Sequence, residues 1–302
     1  MVSLHIDTGY EMRGGQWQVL YLLRGLVAKG QEARLLAPEG SDLLQAALAQ
    51  RLVARPLRLP ALLSASFGAD LVHAHDARAH TLGLLIGKPL VVSRRVAFPV
   101  GSGFPSRWKY QHASHFIAIS EFVKQTLLER ALDEARITVV YDGVPIPPRL
   151  EGTRRHKILA IDSDDPGKGR SAIEKAAGLA GVAVSFSKNL SRDLPEAALF
   201  VYITESEGLG SAALLAMAYG VPVIASAVGG LPEIVEDERT GLLTSNDPDS
   251  IAQQIRRVLD DSALARRLSL CARARAERQF SSERMTEETT RVYENLGRSV
   301  RG

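Results

Sequence analysis

Short apolar runs alternate with longer helical patterns along nearly the whole chain. The runs at 2–7 ("VSLHID"), 32–37 ("EARLLA"), 70–75 ("DLVHAH"), 89–93 ("PLVVS"), 114–120 ("SHFIAIS") and 136–142 ("RITVVYD") read as buried strands. Between the first two, residues 14–30 carry Trp17, Leu20, Leu23 and Val27 at helical spacing, with Gly30 as the stop. The segment 143–156 ("GVPIPPRLEGTRRH") breaks the pattern with three prolines and two glycines, and reads as a linker. Strand-like runs resume at 157–162, 182–186, 198–203, 222–226 and 240–243, and from Pro248 to Arg301 only helical patterns remain. Strand–helix alternation of this kind predicts an α/β fold of two doubly wound parallel sheets. The expected boundaries are a first domain over 1–145, a linker over 146–156, a second domain over 157–278 and a closing helix over 279–302. Ligands of such sheets bind outside the carboxyl ends of the strands, so the loops there carry the chemistry.

Composition narrows this picture only a little. The 302 residues are 45% apolar and 24% charged, which are globular values for about two domains. A net charge of +3 is too small to signal a nucleic-acid partner. The single cysteine, Cys271, and a start that reads as a strand rather than a signal peptide predict a cytoplasmic setting. The apolar runs are too short to cross a bilayer.

The strongest chemical signal lies in "TESEGLGSAALLAMAYGVPVIASAVGGLPEIVEDERTGLL", residues 204–243. A strand, a glycine-rich turn at Gly208 and Gly210, and a helix opening near Ser211 would present main-chain N–H groups and a helix dipole to an anion. Glu207 stands at the mouth of that helix.

This stretch resembles the donor-binding segment of the family 4 glycosyltransferases, which have the GT-B fold. Glu207, Gly208, Gly210, Ala216, Met217, Ala218, Gly220, Pro222, Ala225, Ser226, Gly229, Gly230, Glu233, Val235, Thr240 and Gly241 match its pattern in register. Gly14 and Gly15 look like the family's glycine pair, residues 70–76 like its fourth-strand motif, and residues 277–296 like its closing helix, which crosses back to the first domain. The resemblance implies a retaining transferase that uses a nucleotide-diphosphate sugar and needs no metal or other cofactor. Lys168 would hold the phosphates and Glu207 the sugar hydroxyls, as the catalytic pair. Gly14, Gly15, Gly208, Leu209, Gly210, Ser211 and position 215 would complete the donor site. His75, Arg94, Arg95 and Ser120 would lie on the acceptor side, facing a glycan or lipid-linked acceptor of the cell envelope.

The sequence departs from the family pattern at four places. Leu215 stands where the family has a second glutamate that grips the ribose, and losing such a bond costs about 1.5–3 kcal/mol of donor binding. Ser163 stands where it has an arginine. Arg94 and Arg95 follow the strand at 89–93 where it often has a histidine. Lys168 and Glu207 are only about forty residues apart, so a βαβ-sized piece is missing. These departures keep a second reading in view: a GT-B protein that binds a sugar, nucleotide or partner without turnover. A sugar-nucleotide epimerase of the same fold is a third.

Weaker signals have plain explanations beside them. Asp162 with Asp164, and Asp247 with Asp249, match a D-x-D metal pattern that is common by chance. His73 and His75 share one face of a strand by period-two spacing; His73 reads as core and His75 as lining the ligand side. No acidic residue occurs between Ala77 and Ser120, while Arg78, Lys88, Arg94, Arg95, Arg107 and Lys109 do, with Phe98, Phe104, Trp108 and Tyr110 among them. That stretch suits an anionic acceptor or an anionic membrane surface, or is a solvated basic face.

Overall fold

The computed structural model describes residues 1–96, 103–130, 132–149 and 156–301. The chain divides into two compact units, Met1–Gly143 with Ser282–Gly302, and Val144–Ser281.

In the first unit the order is β1 (Val2–Ile6), α1 (Gly14–Ala28), β2 (Glu32–Ala37), α2 (Asp42–Ala49), β3 (Val53–Pro56), α3 (Leu59–Ser66), β4 (Leu71–Ala74) and α4 (Ala77–Leu84). There follow β5 (Leu90–Arg94), α5 (Phe104–His112), β6 (His115–Ala118), α6 (Glu121–Leu128) and β7 (Ile137–Val139). The strands form one parallel sheet in the order β3-β2-β1-β4-β5-β6-β7. β3 was not foreseen. It is a four-residue edge strand that alternates exposed and half-buried positions and ends in Pro56, which an edge tolerates. Arginines around it masked the pattern.

The second unit runs β8 (Lys157–Ile161), α7 (Arg170–Ala180), β9 (Val184–Ser187), α8 (Leu190–Asp193), β10 (Ala197–Tyr202), α9 (Ser211–Ala218), β11 (Val223–Ser226), α10 (Leu231–Ile234) and β12 (Leu242–Thr244). The helices α11 (Pro248–Asp260) and α12 (Ser262–Gln279) complete it, and α13 (Ser282–Arg301) belongs to the first unit. The parallel sheet has the order β12-β11-β10-β8-β9. One strand, β9, lies beyond β8, where the first unit has two beyond β1.

α1 is buried over a wider arc than its sequence pattern suggested. Val19, Leu20, Leu22, Leu23 and Leu26 are all buried, and join Met285, Val292 and Tyr293 of α13 in one core. Trp17 and Val27, two of the four periodic residues, are exposed. The cause is that α1 packs against both the sheet and α13. At the contact a Cβ on Gly25 would fall 2.1 Å from Thr286 Oγ1, so only glycine allows the approach.

The linker expected over 146–156 lies partly outside the described residues. The chain just before it and at its start is tied to the second unit: Val144 N–H donates to the Phe280 carbonyl at 2.9 Å, and Arg273 Nη2 to that of Pro147 at 2.6 Å.

Candidate active site

In each sheet the chain first builds outward on one side and then returns to the other side of its first strand. The crevice between those two strands, at their carboxyl ends, is where such folds bind ligands. In the second unit the crevice lies between β8 and β10, and the loops after those strands carry Lys168 and Glu207.

Two local contacts bring the two loops together. Glu205 N–H donates to the Gly167 carbonyl at 2.8 Å. Gly169 takes φ +64° and passes so close to Ile203 that a Cβ would fall 2.6 Å from its side chain. Below the second loop, Gly229 takes φ +56°, and a Cβ there would lie 2.0 Å from the Glu207 carbonyl oxygen. A Cβ on Gly230 would lie 2.2 Å from the Gly208 carbonyl. Gly229 and Gly230, two of the glycines that matched the family pattern, are therefore the floor beneath the Glu207 loop.

On this floor Lys168 Nζ lies 2.9 Å from Glu207 Oε2. Tyr202, the last residue of β10, donates its hydroxyl to the same oxygen and accepts from Lys168 Nζ at 3.3 Å. Burial, then the Glu207 charge, pushes the Tyr202 phenol well above its usual range, so it stays a donor. Gly208 N–H donates to Glu207 Oε1 at 3.1 Å. The pair is about one-fifth exposed, enough for a ligand to reach it.

A closed ring of hydrogen bonds fixes the strand ends. Thr204 N–H donates to Ser226 Oγ at 2.8 Å, Ser226 Oγ to Asn246 Oδ1 at 2.6 Å, and Asn246 Nδ2 to the Thr204 carbonyl at 3.0 Å. Sequence reasoning missed Tyr202 and Asn246. A tyrosine ending the strand that feeds the glycine turn was the available signal for the first. Asn246 had none, because its partners are distant in sequence.

The remaining residues expected at a donor site divide. Gly210 (φ +109°) caps α9, and Ser211 opens it. The Leu209 side chain is buried in the core, so only its main chain is left for a ligand. Leu215 is almost wholly buried in the second turn of α9. Ser163 makes a local turn, accepting Asp165 N–H at 3.2 Å. Neither D-x-D pair resembles a metal site. Asp162 is bound to Arg170 at 2.6 Å, and Asp247 caps α11 by accepting Ser250 N–H.

The corresponding crevice of the first unit lies between β1 and β4. Parallel register sets His5 opposite His73, with His75 two residues on. All three are buried, His75 included. Their ligand atoms lie within 4.8 Å of one another, a spacing that could hold a metal ion. Every ring nitrogen already has a protein partner. Arg95 Nη1 is 3.2 Å from His75 Nδ1, His75 Nε2 is 3.0 Å from His5 Nδ1, and His5 Nε2 is 3.0 Å from Ser3 Oγ. Arginine only donates, so the protons run in one direction, from Arg95 through His75 and His5 to Ser3. His73 bonds the Tyr293 hydroxyl of α13 and Ser93 Oγ. Burial, then the Arg95 charge, lowers the His5 pKa to about 3. His73 and His75 are also held well below the usual range, chiefly by burial.

Arg95 is held in turn by Asp142 at 3.3 Å, and an added Cβ on Gly15 would lie 3.7 Å from its Cδ. Gly14 and Gly15 form the first turn of α1, where amide N–H groups lack helical partners. Arg94 bonds the Tyr110 hydroxyl at 3.4 Å. Ser120 is fully buried and accepts Val123 N–H as the cap of α6. Phe98 lies outside the described residues.

A model described as "Glycosyltransferase Family 4" matches residues 12–146, and one described as "Glycosyl transferases group 1" matches residues 156–261. The chain belongs to the family 4, group 1 glycosyltransferases. It is 37% identical over 115 residues to a D-inositol 3-phosphate glycosyltransferase of Nocardioides sp., covering 38% of this chain and 25% of that one. It is 34% identical over 106 residues to an N-acetyl-alpha-D-glucosaminyl L-malate synthase of Bacillus anthracis, covering 35% and 28%. The chain thus spans about a quarter of the length of these curated relatives. Its fold is similar to that of Anabaena HepE, solved in complex with UDP and glucose, with a TM-score of 0.81 at 16% identity, covering 97% of this chain and 99% of that one. Among the described residues no helix of this family member is long and apolar enough to cross a membrane.

Proposed function

We propose that the chain transfers a sugar from a nucleotide diphosphate to a cell-envelope or polysaccharide acceptor, with retention of configuration, on the cytoplasmic side of the membrane. The observation that carries this reading is the Lys168–Glu207 pair at 2.9 Å, on loops that converge at the β8–β10 crevice. As the glycosidic bond breaks, the leaving diphosphate gains negative charge. A fixed ammonium and helix-end amides aimed at that charge stabilise the transition state more than the ground state. Lys168 and the first amides of α9 supply them. Donor entry would divide the ion pair: Lys168 turns to the phosphates, and Glu207, still bonded to Tyr202, accepts sugar hydroxyls.

Leu215 favours a second reading, binding without turnover, because an aliphatic side chain cannot accept a ribose hydroxyl. Release of nucleoside diphosphate from a panel of nucleotide sugars separates the two. The transferase reading expects turnover by the native chain and its loss in Glu207→Ala and Lys168→Ala. A native chain that binds a nucleotide sugar and is as inert as both variants would leave the binding reading alone.

A further inference from the structure

Between Leu43 and Ala69 the sequence contains no acidic residue, while Arg51, Arg55 and Arg58 fall there. The stretch forms most of α2, the edge strand β3 and α3, at the far edge of the first sheet from β7. It also carries apolar side chains that face solvent. Leu59, Leu63 and Phe67 are 68%, 63% and 86% exposed, and Val53 of β3 is 53% exposed. Single exposed apolar residues need no explanation, but a contiguous group of them marks an interaction surface.

The local geometry makes these residues contiguous. Leu62 and Ala65 are the buried side of α3. Arg34 of β2 fixes the end of the helix, donating from Nη1 to the carbonyls of Ala65 at 3.1 Å and Phe67 at 2.8 Å. The outer side carries Leu59 and Leu63 one turn apart, and Phe67 follows just past the last turn. Parallel register sets Val53 beside Arg34, so both stand on the face of the sheet that α3 covers. Arg55 shares that face by period two. Because β3 is the edge strand, Val53 and Arg55 stay exposed and border the α3 ridge. The nearby charges do not cancel. Arg58 is paired with Glu39 and Arg34 with Glu32, and Asp70 accepts Val2 N–H at 2.8 Å. Arg51 and Arg55 have no ion pair among the described residues, which leaves positive charge in excess beside the ridge.

We propose that this ridge docks the first unit on an anionic lipid bilayer. Leu59, Leu63 and Phe67 enter the boundary between headgroups and acyl chains, and the guanidinium groups of Arg51 and Arg55 pair with lipid phosphates. The same residues argue against a second copy of the chain. A two-fold contact would set arginine against arginine with no acid to answer it. Arginine and Pro56 on an edge strand only four residues long also disfavour strand-to-strand pairing. The basic stretch at 77–120 fits the role less well. There Lys109 is held by the Ala77 carbonyl, Arg94 by Tyr110 and Arg95 by Asp142. Docking through α3 does not depend on the transferase reading.

Flotation of the full chain with lipid vesicles tests it, using phosphatidylcholine alone or mixed with phosphatidylglycerol. The chain should bind the anionic vesicles about tenfold or more tightly than the neutral ones. Leu63→Ser combined with Phe67→Ser should weaken that binding by about tenfold or more, and Arg51→Gln combined with Arg55→Gln by about tenfold. These side chains are all exposed, so both variants should unfold thermally as the native chain does, which separates lost docking from lost folding. Lys88→Gln combined with Arg107→Gln, in the other basic stretch, should bind vesicles undiminished. No preference for anionic vesicles, or undiminished binding in the Leu63→Ser and Phe67→Ser variant, would overturn the proposal. Loss of binding only in the Lys88→Gln and Arg107→Gln variant would move the contact to that stretch and also overturn it. Sedimentation without lipid completes the test. A dimer that Leu63→Ser and Phe67→Ser dissolve would assign the ridge to a second copy and overturn lipid docking, whereas a monomer agrees with it.

Discussion

The two crevices occupy the same topological position, and the chain uses them differently. Between β1 and β4 it buries three histidines and aligns them with an arginine, so that every ring nitrogen is bonded. Between β8 and β10 it leaves one lysine and one glutamate partly exposed on loops whose glycines permit the close approach. A satisfied buried network makes an interior rigid and specific, and ties α13 to the sheet through Tyr293 and His73. A half-exposed ion pair over a tight main-chain floor can exchange its partner for a ligand. Polar residues at a switch point therefore do not by themselves mark a site, and exposure is what distinguishes the two crevices.

The sharpest way to break the comparison is at the floor. Gly229→Ala puts a methyl against the Glu207 carbonyl at a positive φ, where both neighbours are main chain. It should destabilise the second unit by about 3 kcal/mol or more in chemical denaturation and abolish donor binding. A milder loss would mean the floor is soft.

Acid should act on the first unit. Folding holds His5 neutral down to a pH of about 3, whereas the unfolded chain binds that proton near 6.5. The unfolded state thus binds more protons below 6.5, so the stabilisation is complete above that pH and falls as pH falls. One such histidine gives a slope of about 1.4 kcal/mol per pH unit, and His73 and His75 add in the same direction. Both tryptophans, Trp17 and Trp108, lie in the first unit, and six of the seven histidines do too. Tryptophan fluorescence should therefore report an acid-sensitive transition, and His5→Gln should flatten its pH slope.

Two tyrosine variants separate the roles by kind of effect. Tyr293→Phe leaves His73 short of a buried partner and should cost about 1–3 kcal/mol of first-unit stability. Tyr202→Phe should lower donor turnover by about tenfold with less effect on stability, since Glu207 keeps Lys168 and Gly208. The smallest effect is expected for Ser120→Ala, which removes a helix cap and should cost about 1 kcal/mol without changing any ligand affinity.

The five strands of the second unit and six of the first unit's seven were legible because each is a short apolar run bounded by turn residues. Edge strand β3 was not, because four half-exposed residues ending in proline carry no clear alternation. Lys168 and Glu207 were singled out through the resemblance; their contact at 2.9 Å and the glycines beneath the Glu207 loop are what the structure adds. The capping role of Ser120 was legible too, since a serine before "EFVKQTL" is a helix-cap signal. The His75 burial was hidden because period-two spacing fixes the face of the sheet that a residue occupies, and not what covers that face. The histidine relay depends on β1, β4, β5 and α13 meeting, contacts that span up to 220 positions in the chain.

The most direct test is thermal unfolding of the full chain with UDP, GDP, ADP or CMP and their sugar conjugates, in native and Lys168→Ala forms. At a hundred times its dissociation constant a ligand adds about 2.7 kcal/mol to the stability of the unit that binds it. One nucleotide diphosphate or its sugar conjugate should raise the transition of the second unit, and Lys168→Ala should abolish the shift. No shift with any of them, or the same shift without Lys168, would contradict a donor site built on the Lys168–Glu207 pair.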